Sequence, residues 1–511
     1  MFKKILSHEL TPALALLILC LGLGVFTVKD YGQSWDELSI YQYGDDSIQV
    51  YRAVLHGEEP QISSGILDYY GPAYFMFAGL SARFIHQWVP AFSSIDAIHL
   101  VYFLTSQICI LLLYFLARRW ISPWAAFGTV LLFISQPLIW GHSFINPKDT
   151  PFMAFFLASL YLGFQMIDAP ANLKWIWLIP AAVILGVTIS LRVVGPLAAV
   201  LVLLHGLLKS PQKLSSTFAV YLFIAVATTY LVWPYLWKAP ISGFLESLQL
   251  MSQFPLEIPL LFMGNLYPPG QLPAGYFPLL LILQLTEPAL VLIVIGFVIS
   301  VILFFKARDR EPLLLFLGWF LLPVLWIILS RSALYDNARQ LLFLWPALFL
   351  LAGLGLDWSL SLISSSSWKA ILIVAIALPG VIACMRLHPY QYVYYNSLAG
   401  GVGGAYQKFE LDYWLTSFKE SMEYLNENAE EGATVLILGS RPVARQYARP
   451  DLVLVVPSKL QQTEQGFYIL SSTRSGMKQL QCDAAELVYR VAREGGVLSQ
   501  VERVAPGQTC E

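Results

Sequence analysis

Four short stretches set acids and bases among apolar residues: "WDE" (Trp35 to Glu37), "GHSFINPKD" (Gly141 to Asp149), Arg192 in "SLRVVG", and "YDNAR" (Tyr335 to Arg339). A carboxylate within hydrogen-bond reach of an attacking hydroxyl or amine can take its proton. Lys and Arg side chains stabilise negative charge developing on a leaving group. These residue types suit a group transfer with an anionic leaving group, for which Asp36, Glu37 and Asp149 are the candidate catalytic acids. Lys148, Arg192 and Arg339 are the candidate anion-binding set, and His142, Asn146, Tyr69 and Tyr70 are candidate substrate contacts.

The elements that must carry these residues are membrane helices. The chain is 57% hydrophobic and 13% charged, with a mean hydropathy of +0.62, above the roughly 45–50% apolar content of soluble domains. Apolar runs long enough for a hydrocarbon core of about 30 Å fall near 11–28, 97–117, 123–140, 151–167, 175–191, 194–208, 216–233, 279–304, 312–329, 340–357 and 369–385. The expected fold is therefore an α-helical polytopic membrane protein of about eleven transmembrane helices. The opening apolar stretch reads as the first anchor, since no A-x-A-like cleavage site follows it. A net charge of −2 gives no argument for nucleic acid as a partner.

Basic residues in short connections are retained on the cytoplasmic side. With Lys3 and Lys4 inside, Arg118, Arg119, Lys174, Lys209, Lys213, Lys306, Arg308, Arg310 and Lys369 also fall inside. All four polar stretches then lie on the outer face, at one set of helix ends. That position suits transfer from a lipid-anchored phosphate. A transporter or flippase of lipid-linked sugars is the alternative, but it would place its ionisable groups near mid-membrane on broken helices. A non-catalytic scaffold would explain an external tail but not the convergence of acids and cations.

Residues 1–385 read as the membrane domain, with external loops at 29–96 and 233–278, the second rich in Pro, Gly and aromatics and expected to be ordered. Residues 386–511 read as a small external α/β domain of about 120 residues. In it "ATVLILG", "DLVLVVP" and "GFYILSS" are expected strands, Gly495 and Gly496 a hairpin turn, and "FELDYWLTSFKESMEYLNENAEEG" an amphipathic helix. Cys482 and Cys510 fall in this tail, where a disulfide between them and two unrelated thiols are equal alternatives. No Cys/His metal spacing occurs and no cofactor is expected, although the carboxylates leave room for a divalent ion.

Each candidate has a structural reading as well. Asp36 and Glu37 suit a solvated loop or a helix cap, and Asp149, two residues before Pro151, suits a helix N-terminus. Arg192 either reaches the membrane surface or pairs with an anion. Arg339 has an internal partner in Asp336, one turn back. His142 reads better as an interfacial polar residue than as a base, and Asn146 either binds sugar or shapes the Asn-Pro turn.

The pattern resembles the C-type (GT-C fold) membrane glycosyltransferases, in the branch of protein O-mannosyltransferases and bacterial lipid A aminoarabinose transferases. That branch has an acidic motif opening the first external loop, matched by Asp36-Glu37, and an Asp in the second external loop, matched by Asp149. "FINPKD" and "HPYQYVYYN" (His388 to Asn396) resemble a largely uncharacterised bacterial subgroup. Relatives often follow the acidic pair with Arg or Lys and then Tyr, whereas Leu38-Ser39 stand here, which weakens the case for phosphate contacts from this loop. The resemblance implies a polyprenyl-phosphate sugar donor, a glycan, lipid or protein acceptor, inversion at the anomeric carbon, and a periplasm-facing site in a bacterial inner membrane.

Overall fold

The computed structural model describes residues 10–508 except 63–64, 210–214, 256–257, 269, 307–308, 460–465 and 475–484. Lys3, Lys4, Lys213, Arg308 and both cysteines of the candidate disulfide lie outside the described residues. Among those residues eight helices are long and apolar enough to cross a membrane, and a bent pair makes a ninth. Two shorter apolar helices, Pro196–Lys209 and Ser215–Val232, occupy the remaining two expected spans. The chain is thus a mostly helical, multi-pass membrane protein with a small C-terminal sheet.

The bent pair corrects the reading of 123–140 as one continuous span. Pro137 has no N–H to donate and its ring clashes with the preceding turn, so the chain breaks into Pro123–Ile134 and Pro137–Ile145 at 61°. Gln136 satisfies the break: its Nε2 donates to the Leu132 carbonyl (2.8 Å) and to Thr286 Oγ1 (3.0 Å), while its Oε1 accepts from Thr286 N. The second limb runs directly into Asn146 and Lys148. Elsewhere, helices Glu287–Phe305 and Trp345–Ser361 meet backbone to backbone through Gly296 and Gly355, where a Cβ on Gly296 would lie 1.7 Å from the Leu351 carbonyl.

Helix Asp149–Asp168 spans 20 residues, so its ends are about 30 Å apart. At the Asp168 end, His205 lies between two carboxylates, with Nε2 3.0 Å from Asp168 and Nδ1 against Glu311, and Arg119 holds Asp168 at 2.5 Å. This ties four helix ends together. The opposite end, at Asp149, carries the candidate site.

The described residues of 233–278 include a 3-10 turn, helix Pro240–Ser252 and a hairpin of β1 (Leu260–Phe262) and β2 (Asn265–Tyr267). The C-terminal sheet has the order β4 (Val453–Val455), β3 (Thr434–Leu438), β5 (Phe467–Ser472), β7 (Gly496–Val504) and β6 (Ala485–Arg493). β3 runs parallel to both of its neighbours, and β7 is antiparallel to both of its own. Alternation along the strands sends Val435, Ile437 and Leu470 to one apolar layer, beneath helix Phe418–Asn428, and Leu436, Leu438 and Ile469 to the other. Val491 and Leu498 of the hairpin join the core of the membrane bundle.

The tail helix is shorter than its pattern predicts. It begins at Phe418 rather than near Phe409, because the buried Asp412 carboxylate accepts from Thr416 N, Ser417 N and the Ser417 hydroxyl. Those bonds hold 412–417 as a tight turn, and Asp and Ser side chains compete in this way with helix hydrogen bonding. Trp414 is thereby freed from the helix face to point elsewhere.

Candidate active site

The short turn Asn146 to Lys148 explains how Asp149 becomes available. Asn146 Oδ1 accepts from Lys148 N (3.1 Å) and Asp149 N (2.8 Å), so Asn146 satisfies the start of helix Asp149–Asp168. The Asp149 carboxylate is therefore not the cap. It is wholly buried, with one oxygen against Arg192 and the other accepting from Arg339 Nη1 (2.7 Å) and Asn146 Nδ2 (3.0 Å). A buried carboxylate with two guanidinium partners meets the requirement that interior charge be paired and hydrogen-bonded.

Asp36 sits on the other side of the same arginine. Lys148 Nζ lies 2.8 Å from its Oδ2 and Arg339 Nη2 lies 3.3 Å from it. Arg339 thus bridges Asp36 and Asp149. Of the two acids only Asp36 keeps appreciable exposure, 24% of its side chain against 0% for Asp149. Burial opposes ionisation of Asp36, but Lys148 and Arg339, helped by Arg474, outweigh it and hold the carboxyl down at about 2. Burial likewise disfavours the Lys148 ammonium, yet Asp36 beside it keeps its pKa above the usual value.

Arg339 is delivered by an unusual turn. Asp336, Asn337 and Ala338 all have positive φ, at 50°, 58° and 58°. The left-handed region costs a non-glycine residue about 1 kcal/mol or more. The turn is held by Asn337 Nδ2 on the Glu410 carbonyl (3.0 Å) and by Asp336, which accepts from Arg339 Nε (3.3 Å) and from Arg474 Nη2 (2.7 Å). The Arg339 guanidinium also lies over the Trp414 ring at 4.1 Å. The internal Asp336–Arg339 pair foreseen from the spacing therefore exists alongside the longer-range pairs.

Other candidates stand further out. Glu37 does not join this cluster: it turns into the bundle, 2.9 Å from His99, and accepts from Ser34 N. Burial pushes its carboxyl above the ordinary range despite that histidine. His142 is fully buried behind Asn146, within hydrogen-bond distance of Tyr413 Oη (3.0 Å) and Asn146 Nδ2 (3.2 Å). Asn146 Oδ1 shapes the turn, while its Nδ2 donates to the Asp149 carboxylate and lies within hydrogen-bond distance of His142 Nδ1. Tyr70 takes Lys148 and Arg192 over its ring at 5.3 and 6.0 Å, whereas Tyr69 packs edge-on against Tyr235 and is outside the cluster.

A cavity of about 330 Å³ opens beside the cluster. Arg192, Tyr70, Tyr335, Gln340, Ser252 and Ser332 supply its polar lining, and Pro196, Leu248, Phe254, Leu322 and Trp326 are among its apolar walls. Leu322 and Trp326 are more than half exposed on the apolar exterior, so the wall is continuous with the lipid-facing surface. A second cavity of about 740 Å³, between 270–277 and the end of helix Glu311–Ser330, shares Ile327, Ser332 and Leu334 with the first.

Arg474 and Trp414 are the members that spacing could not reveal. Arg474 is 138 positions from Asp336 and follows an ordinary strand. Among the described residues no cluster of three or more His, Cys, Asp or Glu side chains could hold a metal ion.

A family model described as dolichyl-phosphate-mannose-protein mannosyltransferase matches residues 81–237, the stretch carrying Lys148, Asp149 and Arg192. No curated protein matches the chain in sequence. Among solved structures, ArnT from Cupriavidus metallidurans in the apo state is similar at a TM-score of 0.51 and 15% identity, over 96% of this chain and 97% of that one. An oligosaccharyltransferase from Archaeoglobus fulgidus in the apo form also gives a TM-score of 0.51, at 12% identity, over 92% of this chain and 70% of that one. The fold is thus GT-C, shared with these two structures, and residues 81–237 match the mannosyltransferase model within it.

Proposed function

We propose that the chain is an inverting glycosyltransferase that moves a sugar from a polyprenyl-phosphate donor to a hydroxyl or amine of a glycan, lipid or protein acceptor. The observation that carries this reading is the meeting of Asp36, Lys148, Asp149, Arg192 and Arg339, from four separate loops, beside a cavity whose walls run out to the lipid-facing surface. A phosphate on a long apolar tail matches both halves of that description. The transporter alternative is disfavoured because the ionic groups sit at helix ends.

In this mechanism the acceptor oxygen or nitrogen attacks the anomeric carbon from the face opposite the phosphate. The new glycosidic bond forms as the bond to phosphate breaks, and the acceptor proton passes to Asp36. Lys148, Arg192 and Arg339 hold the phosphate and neutralise the charge it gains. Asp149, with both oxygens engaged, holds the two guanidinium groups in place rather than acting as a base. A phosphate drawing on Lys148 and Arg339 would loosen the two pairs that depress Asp36. Its proton affinity then rises when the donor is bound and a base is needed.

We place this site on the outer, periplasmic face of a bacterial inner membrane, as the distribution of Lys and Arg among the short loops suggests. A radiolabelled polyprenyl-phosphate sugar incubated with the reconstituted protein tests the reaction. Labelled acceptor and free polyprenyl phosphate are expected in equal amounts. Movement of intact donor across the bilayer with no release of lipid phosphate would replace this reading with transport.

A further inference from the structure

We infer that the C-terminal domain completes the donor site, and that Arg474 is a positioning residue that acts through Asp336 to keep Arg339 available to the donor phosphate. This rests on the glycosyltransferase reading above.

Arg474 lies just after β5, yet its side chain is buried in the wall of the membrane-domain site. Its Nη2 donates to Asp336 Oδ1 at 2.7 Å, its Nη1 to the Tyr413 carbonyl at 2.9 Å, and its guanidinium lies 5.1 Å from the Trp35 ring centre. Trp35 precedes Asp36, and its N–H donates to the Trp414 carbonyl at 3.0 Å. One side chain therefore touches the turn that presents Arg339, the loop that presents Asp36 and the segment that presents Trp414.

Charge explains why an arginine is needed there. Asp36, Asp149 and Asp336 face Lys148, Arg192 and Arg339, which would leave the group neutral. Arg474 on Asp336 adds one uncompensated positive charge, the sign required for a phosphate. It also competes for Asp336. Without it, the carboxylate would be free to draw Arg339 more fully to itself, away from Asp36 and Asp149. The left-handed turn at 336–338 gives a second reason, because such backbone persists only where surrounding contacts over-determine it. Two of those contacts, Arg474 and the Glu410 carbonyl, come from beyond the last membrane helix.

The test compares wild type, Arg474→Met, Arg474→Lys, Asp336→Asn and the double variant Arg474→Met/Asp336→Asn in the full-length protein, with donor KM and kcat read separately. Arg474→Met is expected to raise donor KM at least tenfold with a smaller effect on kcat, and Arg474→Lys to raise it about threefold, since an ammonium keeps the charge but not the fork. The double variant is expected to recover most of the lost donor affinity, because removing the Asp336 charge releases Arg339. A generally weakened fold would instead make the double variant the worst of the set. An unchanged donor KM in Arg474→Met, or a double variant no better than it, overturns the inference. Should Arg474→Met not fold, an unchanged donor KM in Arg474→Lys does the same. Absence of transfer in wild type would condemn the glycosyltransferase reading instead.

Discussion

Asp36→Asn separates the chemical role of this carboxylate from its structural one. The substitution keeps shape and removes charge, so it deletes the ion pairs to Lys148 at 2.8 Å and Arg339 at 3.3 Å while leaving room for a neutral hydrogen bond. The depression of the carboxyl from 3.8 to about 2 corresponds to about 2 kcal/mol of folding stability. Because the folded-state value lies below the ordinary one, that stabilisation is complete above about pH 4 and disappears as pH falls from there toward 2. At neutral pH the variant should therefore be less stable by about 2 kcal/mol and still fold. Loss of a general base costs about 100- to 10,000-fold in rate, or about 3–5 kcal/mol of barrier. Initial rates of label transfer at saturating donor, alongside thermal unfolding in detergent, measure the two effects on one preparation. Donor binding should survive, since Arg192 and Lys148 remain. Transfer within tenfold of wild type would remove Asp36 from the base role, whatever the stability change.

Arg192→Ala should raise the apparent donor KM by ten- to a hundredfold with a smaller loss of kcat, and an unaltered KM would exclude it from the phosphate site. Asp149→Ala leaves Arg192 and Arg339 facing each other without their shared anion, and removing one partner of a buried pair costs about 3–5 kcal/mol. It is expected to reduce the yield of monodisperse protein as well as activity, whereas normal yield and stability would contradict the buried pairing. Gly296→Ala forces apart two helices whose backbones touch, at about 1–3 kcal/mol. A lower melting temperature with little change in donor KM is expected, and an unchanged melting temperature would refute the close crossing.

Much of the architecture is local and was readable from composition. A span needs only a run of apolar residues long enough for the bilayer, so the helices near 97–117, 151–167 and 369–385 were evident. Strands β3 and β5 followed from short β-branched and aromatic runs, and the hairpin from Gly495-Gly496. What escaped were features set by one side chain against the local pattern. Pro137 breaks an apolar run that reads as continuous, and Asp412 delays the start of the tail helix to Phe418, about two and a half turns beyond Phe409.

The site divides along the same line. Residue type, outer-face position and the family resemblance together singled out Asp36, Lys148, Asp149, Arg192 and Arg339 as candidates, since ionisable groups among apolar runs are costly and stand out. Which carboxylate pairs with which cation was open until the chain was folded. Asp149 suits a helix N-terminus as well as the site, and Asn146 takes the capping, while Glu37, adjacent to Asp36, points to His99 instead. Arg474 and Trp414 carried no signal, since a charged or aromatic residue in a soluble tail is ordinary. Sequence therefore determined which residues were expensive to place and at which helix ends they lie. Only the tertiary structure decided their partners, because pairing depends on distances between segments hundreds of residues apart, which local spacing does not encode.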